Sequence, residues 1–337
     1  MNSENFDSII SVFNQLQKYK TGFKSRAYSN AVHKLQTYHK THGDSMFSIL
    51  RTLPALLQDI GFKPKSKMFD KCITIIETGT LEELTAYTES PDEKFIQQLT
   101  EYAYGIGNKK AKELVSNHNI HSIEELREHA GDIQENGRPL LNNLQQIGLR
   151  YFEDIQHRIP YKEVAMYDNY CKTKINELRK RGLTINYKIV GSYRRKATTS
   201  GDIDMLLSFK TTGRTRKPSL KKIVAHLGDC ICDTLTLGSK KFHGLIRHPE
   251  HPELPARRID IMCTTPEVYP YAVLHFTGSG TFNITMRQKA IELGYTLNEY
   301  GLWHIERPKE LVNPSIQTEK DIFKELSVSY VKPTDRQ

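Results

Sequence analysis

The sequence predicts a multidomain α+β protein, helical in its front half and mixed behind, and two periodicities carry that reading. In the front half apolar residues recur at helical spacing, as Ile9, Ile10, Phe13 and Leu16 and again as Met68, Cys72, Ile75 and Ile76. Beyond residue 183 the period falls to two, and residues 184–190, 203–209 and 258–263 read as strands. A run of helices followed by strands argues for separate domains. The 337 residues suffice for two to four compact units with their own cores.

Taken in order, residues 1–88 form a first helical domain. Gly79 is suited to cap the helix that ends near Glu77. Ser90, Pro91 and Asp92 make a turn, and Pro91 fits the first position of a new helix. A second helical domain spans 89–160, with breaks at Gly105, Ile106 and Gly107 and around residues 131–139. Pro160 disfavours helix at Ile159 and marks the boundary. A strand-containing domain follows over 161–264, and a last α+β domain over 265–337.

The composition excludes several classes. No apolar run approaches the ~20 residues of a membrane span, and the N-terminus lacks the basic-then-apolar order of a secretory signal. Five cysteines are an odd number, and Cys230 with Cys232 has no second pair to close a zinc site. A reduced, intracellular setting follows. The net charge is +9, and residues 188–222 hold ten Lys or Arg against two Asp. So basic a stretch suits a polyanion, although Arg214, Arg216, Lys217, Lys221 and Lys222 read equally as a solvated loop.

The chemistry concentrates in the strands. Alternation puts Asp202 and Asp204 on one face and Ile203, Met205 and Leu207 on the other. It likewise sets Asp260 opposite Ile259 and Ile261. If the two strands are neighbours, three carboxylates converge into a hard-oxygen site of the kind Mg²⁺ prefers. A lone Asp-x-Asp is weak evidence. Here Gly191 and Ser192 precede it, offering backbone N–H groups and a hydroxyl, and Arg194 and Arg195 follow to balance phosphate charge.

The segments GSYRRKATTSGDIDMLLSF, RRIDIM, FTGSGTFNITMR and GYTLNEYGL, in this order, resemble a family X DNA polymerase of the polymerase beta type. The resemblance implies an N-terminal lyase-like domain, a helix-hairpin-helix fingers domain, a nucleotidyltransferase palm and a nucleotide-selecting thumb. It implies that Asp202, Asp204 and Asp260 bind two Mg²⁺ ions, with Mn²⁺ able to substitute. Ser192, Arg195 and Gly201 then hold the triphosphate of a dNTP, with Arg158 nearby. His275, Phe276 and Gly278 face its sugar and Asn283 its base edge. Arg287 reaches the template strand, and Glu299 and Tyr300 belong to the closing switch. Three positions depart from the pattern: Met262 stands where an Arg is expected, Gly280 where an Asp is, and His275 where a Tyr is. All three surround the nascent pair, so the expectation is an error-prone enzyme with intact phosphoryl transfer.

The front half carries two further expectations. Gly105 and Gly107, followed by Lys109, Lys110 and Lys112, read as a hairpin whose backbone approaches a DNA phosphate, and the family implies a Na⁺ or K⁺ ion there. Lys67 and Lys71 sit one turn apart, which disfavours the charge of each and leaves an amine able to attack an aldehyde. The resemblance makes Lys71 the nucleophile of a 5′-deoxyribose-phosphate lyase, with His33, Lys34, Tyr38 and Lys67 around the phosphate. The first hairpin reads Phe62, Lys63, Pro64, Lys65 and Ser66, without the two glycines of the pattern. His248 to His251 (HPEH) reads as a surface loop and Trp303 as thumb core.

The expected function is gap filling in base excision repair by a monomer on gapped or nicked DNA, nuclear in a eukaryote and in the host cytoplasm or virion for a cytoplasmic DNA virus. A template-independent nucleotidyl transferase and a catalytically inactive gap-binding scaffold are the alternatives.

Overall fold

The computed structural model describes residues 3–19, 22–43, 52–209, 219–307 and 310–336. The basic residues Arg214, Arg216 and Lys217 lie outside these; Lys221 and Lys222 are exposed. The chain divides into two compact units, Met1–Glu101 with Gly107–Leu126, and Tyr102–Ile106 with Arg127–Gln337. No helix among the described residues is long and apolar enough to cross a membrane.

The first unit is helical: α1 (Ser3–Tyr19), α2 (Gly22–His42), α3 (Leu53–Asp59), α4 (Lys67–Thr78), α5 (Glu82–Glu89), α6 (Pro91–Tyr102), α7 (Asn108–His118) and the start of α8 (Ile123–His129). Ile9, Phe13 and Leu16 of α1 pack with Leu35, Leu57, Phe69, Cys72 and Ile75 in one core. Ile10, Met68 and Ile76 only flank it, and Phe69 takes the place at its centre that the periodicity assigned to Met68. Ser66 caps α4 by accepting from the Phe69 amide, and Gly79 closes it in a left-handed conformation. In the turn before α4, Gly61 takes a positive φ of 93°, and Lys65, where the pattern has a glycine, takes a left-handed φ of 59° itself.

The second unit continues with α9 (Asn143–Arg150) and α10 (Phe152–Gln156), then β1 (Ile159–Pro160), α11 (Tyr161–Lys180), β2 (Ile185–Ile189), α12 (Gly191–Arg194), β3 (Thr199–Ser200) and β4 (Ile203–Phe209). After these come α13 (Leu220–His226), β5 (Ile231–Leu237), β6 (Lys241–Ile246), β7 (Arg257–Thr264), α14 (Tyr269–Thr277), α15 (Gly280–Glu292), β8 (Tyr295–Asn298), β9 (Gly301–His304) and α16 (Glu319–Glu325). Five strands form a mixed sheet in the order β2-β4-β7-β6-β5, parallel only between β4 and β7. Ile203, Met205 and Leu207 of β4 and Ile259 and Ile261 of β7 are buried in the main core with Val164, Tyr167 and Ile175 of α11. On the opposite face Asp204 and Asp260 lie at one end, and Leu206 and Met262 pack with Val190, Ala272 and Val273 in a smaller core. A further core gathers Leu274, Met286, Leu302 and Phe323 behind the β8–β9 hairpin.

The strands expected from alternation are β2, β4 and β7. Two more, β5 and β6, complete the sheet beside β7, and neither shows clean alternation. The HPEH segment differs from its expectation: His248 is buried, its ring edge-on to Tyr167 and Tyr170.

Candidate active site

The parallel pairing of β4 and β7 sets Asp204 directly beside Asp260 in the register. Asp202 lies two residues before Asp204 and hydrogen bonds Arg258 at 2.6 Å. On the other side of Asp260, β6 runs antiparallel and brings His243 into register, with its Nδ1 2.7 Å from an oxygen of Asp260. Two of the three acids therefore have a side-chain hydrogen-bond donor, and Asp204 has none among the described residues. Burial pushes its carboxyl up to about 7, the charges of Asp202 and Asp260 add to the rise, and Arg258 and Arg195 only partly offset it.

With Asp202 turned to Arg258 and Asp260 to His243, no three His, Cys, Asp or Glu side chains among the described residues gather around one point tightly enough to hold a metal. The donor set is nevertheless the one a hard divalent cation takes, oxygen only, with a charge that Arg258 and Arg195 offset only in part. The residues fit such an ion.

Gly191 forms the roof over Asp204. A Cβ there would lie 2.0 Å from an Asp204 carboxylate oxygen, and the residue has a φ of 58°, so only glycine fits. The Val190 amide donates to the Asp204 carbonyl at 2.8 Å, which locks the turn to the strand. Ser192 donates to Ser200 at 2.8 Å. Arg158 holds Thr199 through its hydroxyl and carbonyl, and Gly201 leaves room beside that guanidinium. Arg195 donates to the Thr277 carbonyl at 2.6 Å and approaches the site of Gly278. The structure thus gathers Ser192, Arg195, Gly201 and Arg158 along the edge of the carboxylate cluster.

Arg194 has a different place. It is half-buried in an ion pair with Glu319, which Arg336 also contacts, and it donates to Thr277. It ties α12 to α16 and is committed to protein partners.

The α14–α15 segment carries the next group. Asn283 donates to the His275 carbonyl at 2.7 Å, and Arg287 approaches the His275 ring at 3.3 Å. The His275 and Phe276 rings meet edge to face. Burial holds the imidazole of His275 below its ordinary value, with Glu299 opposing. A Cβ on Gly280 would meet nothing within 4 Å, so the glycine opens space there. Met262, Phe276, Glu299 and Tyr300 share a cavity of about 300 Å³ with Lys241, which stands directly across from Met262 in the register.

In the first unit, Lys71 is half-buried and meets both the Tyr28 hydroxyl and the Glu83 carboxylate. Tyr28 in turn donates to Glu83 at 2.7 Å, and the Lys71 amine lies 4.8 Å from the Tyr28 ring centre. Neither partner was visible in the spacing of Lys67 and Lys71. Lys67 and His33 are exposed, Lys34 donates to the Gly61 carbonyl, and Tyr38 stacks on His42. Gly107 is the N-cap of α7 in the first unit, ahead of Lys109, Lys110 and Lys112. Gly105, in the second unit, takes a left-handed φ of 84°, and its carbonyl accepts from Gln145.

Domain comparisons match this layout: residues 103–156 to the fingers domain of DNA polymerase lambda, 158–266 to the DNA polymerase beta palm, and 272–337 to the DNA polymerase beta thumb. Repair DNA polymerase X of African swine fever virus is 31% identical over 156 residues, which are 46% of this chain and 83% of the viral protein. The chain belongs to the family X DNA polymerases. Among solved structures it is similar to Leishmania infantum polymerase beta in a ternary primer/template complex, with a TM-score of 0.62 and 32% identity over 74% of this chain and 100% of that one. DNA polymerase lambda of Rattus norvegicus is 25% identical over 93% of this chain and 52% of its own length. The Arabidopsis thaliana lambda enzyme is 27% identical over 80% and 51%. This family X chain thus spans about half the length of the lambda polymerases it matches.

Proposed function

We propose that this chain is a DNA-directed DNA polymerase that fills short gaps in base excision repair, with a 5′-deoxyribose-phosphate lyase in its first unit. The observation that carries the polymerase reading is the side-by-side register of Asp204 and Asp260 beneath Gly191, with Asp202 adjoining. An acid pushed up to about 7 among two others is a costly arrangement. It makes sense when a cation lies among the carboxylates in the working state.

In this reading Asp202, Asp204 and Asp260 hold the divalent ions. When bound, Mg²⁺ or Mn²⁺ supplies electrostatic stabilisation of the attacking and leaving oxygens. The remaining work falls to the chain. Ser192, Arg195 and the turn at Gly191 receive a triphosphate, Arg158 steadies the turn from behind, and Asn283, His275 and Phe276 align the nucleotide. Catalysis rests on positioning and preorganised charge, with no covalent intermediate on the protein. The likeness to the polymerase beta primer/template complex supports gapped or nicked DNA as the substrate.

For the lyase, the Lys71 amine adds to the C1′ aldehyde of the sugar and expels water to give a Schiff base. Glu83, in contact with that amine, is placed to take up the proton it releases. One substrate tests both halves: a one-nucleotide gap with a 5′-deoxyribose phosphate, scored for gap filling and for borohydride trapping. Asp260→Ala should abolish only the first and Lys71→Ala only the second. Survival of both activities in both variants overturns the assignments.

A further inference from the structure

His243 sits where the sequence reading had nothing. It lies on β6, the strand that alternation did not reveal, in direct register with Asp260, which on its other side is in register with Asp204. Asp204, Asp260 and His243 thus form one row across three adjacent strands. The imidazole is 32% exposed and Asp260 29%, so both border the open face of the sheet rather than the core. An ionised carboxylate can only accept, so Nδ1 of His243 is the donor in the 2.7 Å contact. That contact occupies Oδ1 of Asp260. Among the described residues Oδ2 has no hydrogen-bonding partner, so one oxygen of the acid is fixed and the other is available.

The arrangement around Asp202 is of a different kind. Its partner Arg258 is an always-charged fork that neutralises the carboxylate. His243 is a single directed donor, on a short side chain, held by a strand that the sheet immobilises on both sides. Such a donor limits the rotation of the Asp260 carboxylate about its Cβ–Cγ bond without competing for the second oxygen.

We infer that His243 is a positioning residue for the polymerase centre, one that orients Asp260 so that its second oxygen meets the divalent ion. The inference rests on the proposed role of Asp260 as an ion ligand. Partners of ligating groups matter on a known scale, typically ~10–100-fold in metal affinity or activity when removed.

The test is a set of variants in the full chain: His243→Leu, His243→Asn and Asp260→Ala. Two readouts are needed, Mn²⁺ binding by electron paramagnetic resonance without turnover, and steady-state gap filling. His243→Leu should weaken Mn²⁺ binding and lower kcat by about 10-fold or more, while KM for the dNTP stays unchanged. His243→Asn, whose amide nitrogen can stand in for Nδ1, should recover most of both. His243→Val replaces the leucine variant should that one not fold. Wild-type Mn²⁺ binding and kcat in the folded leucine or valine variant overturn the inference, as does an asparagine variant no better than leucine. If Asp260→Ala also leaves Mn²⁺ binding and gap filling intact, the reading of the carboxylate site itself falls. Loss in Asp260→Ala with none in His243→Leu removes only the role of His243.

Discussion

The carboxylate row of the second unit and the lysine pocket of the first solve opposite electrostatic problems. Around Lys71 the charges close on themselves: the amine meets Glu83 and Tyr28, and Tyr28 donates to Glu83 as well. Around Asp204 they do not. Arg258 and His243 engage Asp202 and Asp260, and the third acid stays half-buried, its carboxyl pushed up to about 7 by desolvation. A pocket balanced by its own side chains is complete without a ligand. A cluster with a residual buried charge is stabilised by whatever cation enters it. Under the proposed function, the difference teaches that the first region suits covalent capture of an aldehyde by an amine already held in place, and the second an ion and the phosphates it accompanies.

The largest expected effects separate the two regions outright. Asp260→Ala should lower gap filling by on the order of 10³-fold, the equivalent of about 4 kcal/mol of lost electrostatic stabilisation, and leave borohydride trapping unchanged. Lys71→Ala should do the reverse, abolishing trapping and sparing gap filling. If either variant lowers both activities equally, the comparison is broken.

A smaller effect is expected at Gly191. Alanine there meets an Asp204 oxygen at 2.0 Å and must adopt a left-handed φ. Displacing the carboxylate by about an ångström should lower kcat by roughly 10²-fold, with trapping again unaffected. Wild-type kcat in Gly191→Ala would mean that Asp204 need not stand where it does.

The last prediction sharpens the claim of residual charge through pH. Because folding raises the carboxyl of Asp204 from 3.8 to about 7, its contribution to stability is fully present below about 3.8 and is lost as pH rises through about 7. Asp204→Asn lacks that loss. In chelator, the variant should therefore match wild type near pH 4 and gain on it up to pH 7, by at most about 4 kcal/mol. Thermal melts across that range measure the gap, and a constant difference would show that Asp204 carries no excess charge. Adding Mn²⁺ should stabilise wild type more than the variant.

Much of the site was legible in the chain, and particular residues show why. Alternation on β4 and β7 is a local property, so Asp202, Asp204 and Asp260 could be set on polar faces before any fold was known, with Ile203 and Ile259 buried opposite. Gly191 and Gly79 were legible for the same reason, since a left-handed turn demands glycine wherever it lies. The first hairpin shows the limit of that rule, because Lys65 takes a left-handed φ itself.

What the sequence by itself determined, then, is the periodicity of each element and the residue types it presents: helices first, strands after, and three acids on strand faces that must meet something cationic. Only the tertiary structure decided what they meet. His243 reaches Asp260 because β6 adds to the edge of β7, Glu83 reaches Lys71 from the helix that follows, and Arg194 is drawn away to Glu319, which lies 125 residues further along the chain. His248 is buried because α11 supplies Tyr167 and Tyr170 against it. The physical reason is the same in each case. Backbone period depends on neighbours one to four residues away, whereas a charge or ring takes its partner from whichever element packing brings alongside.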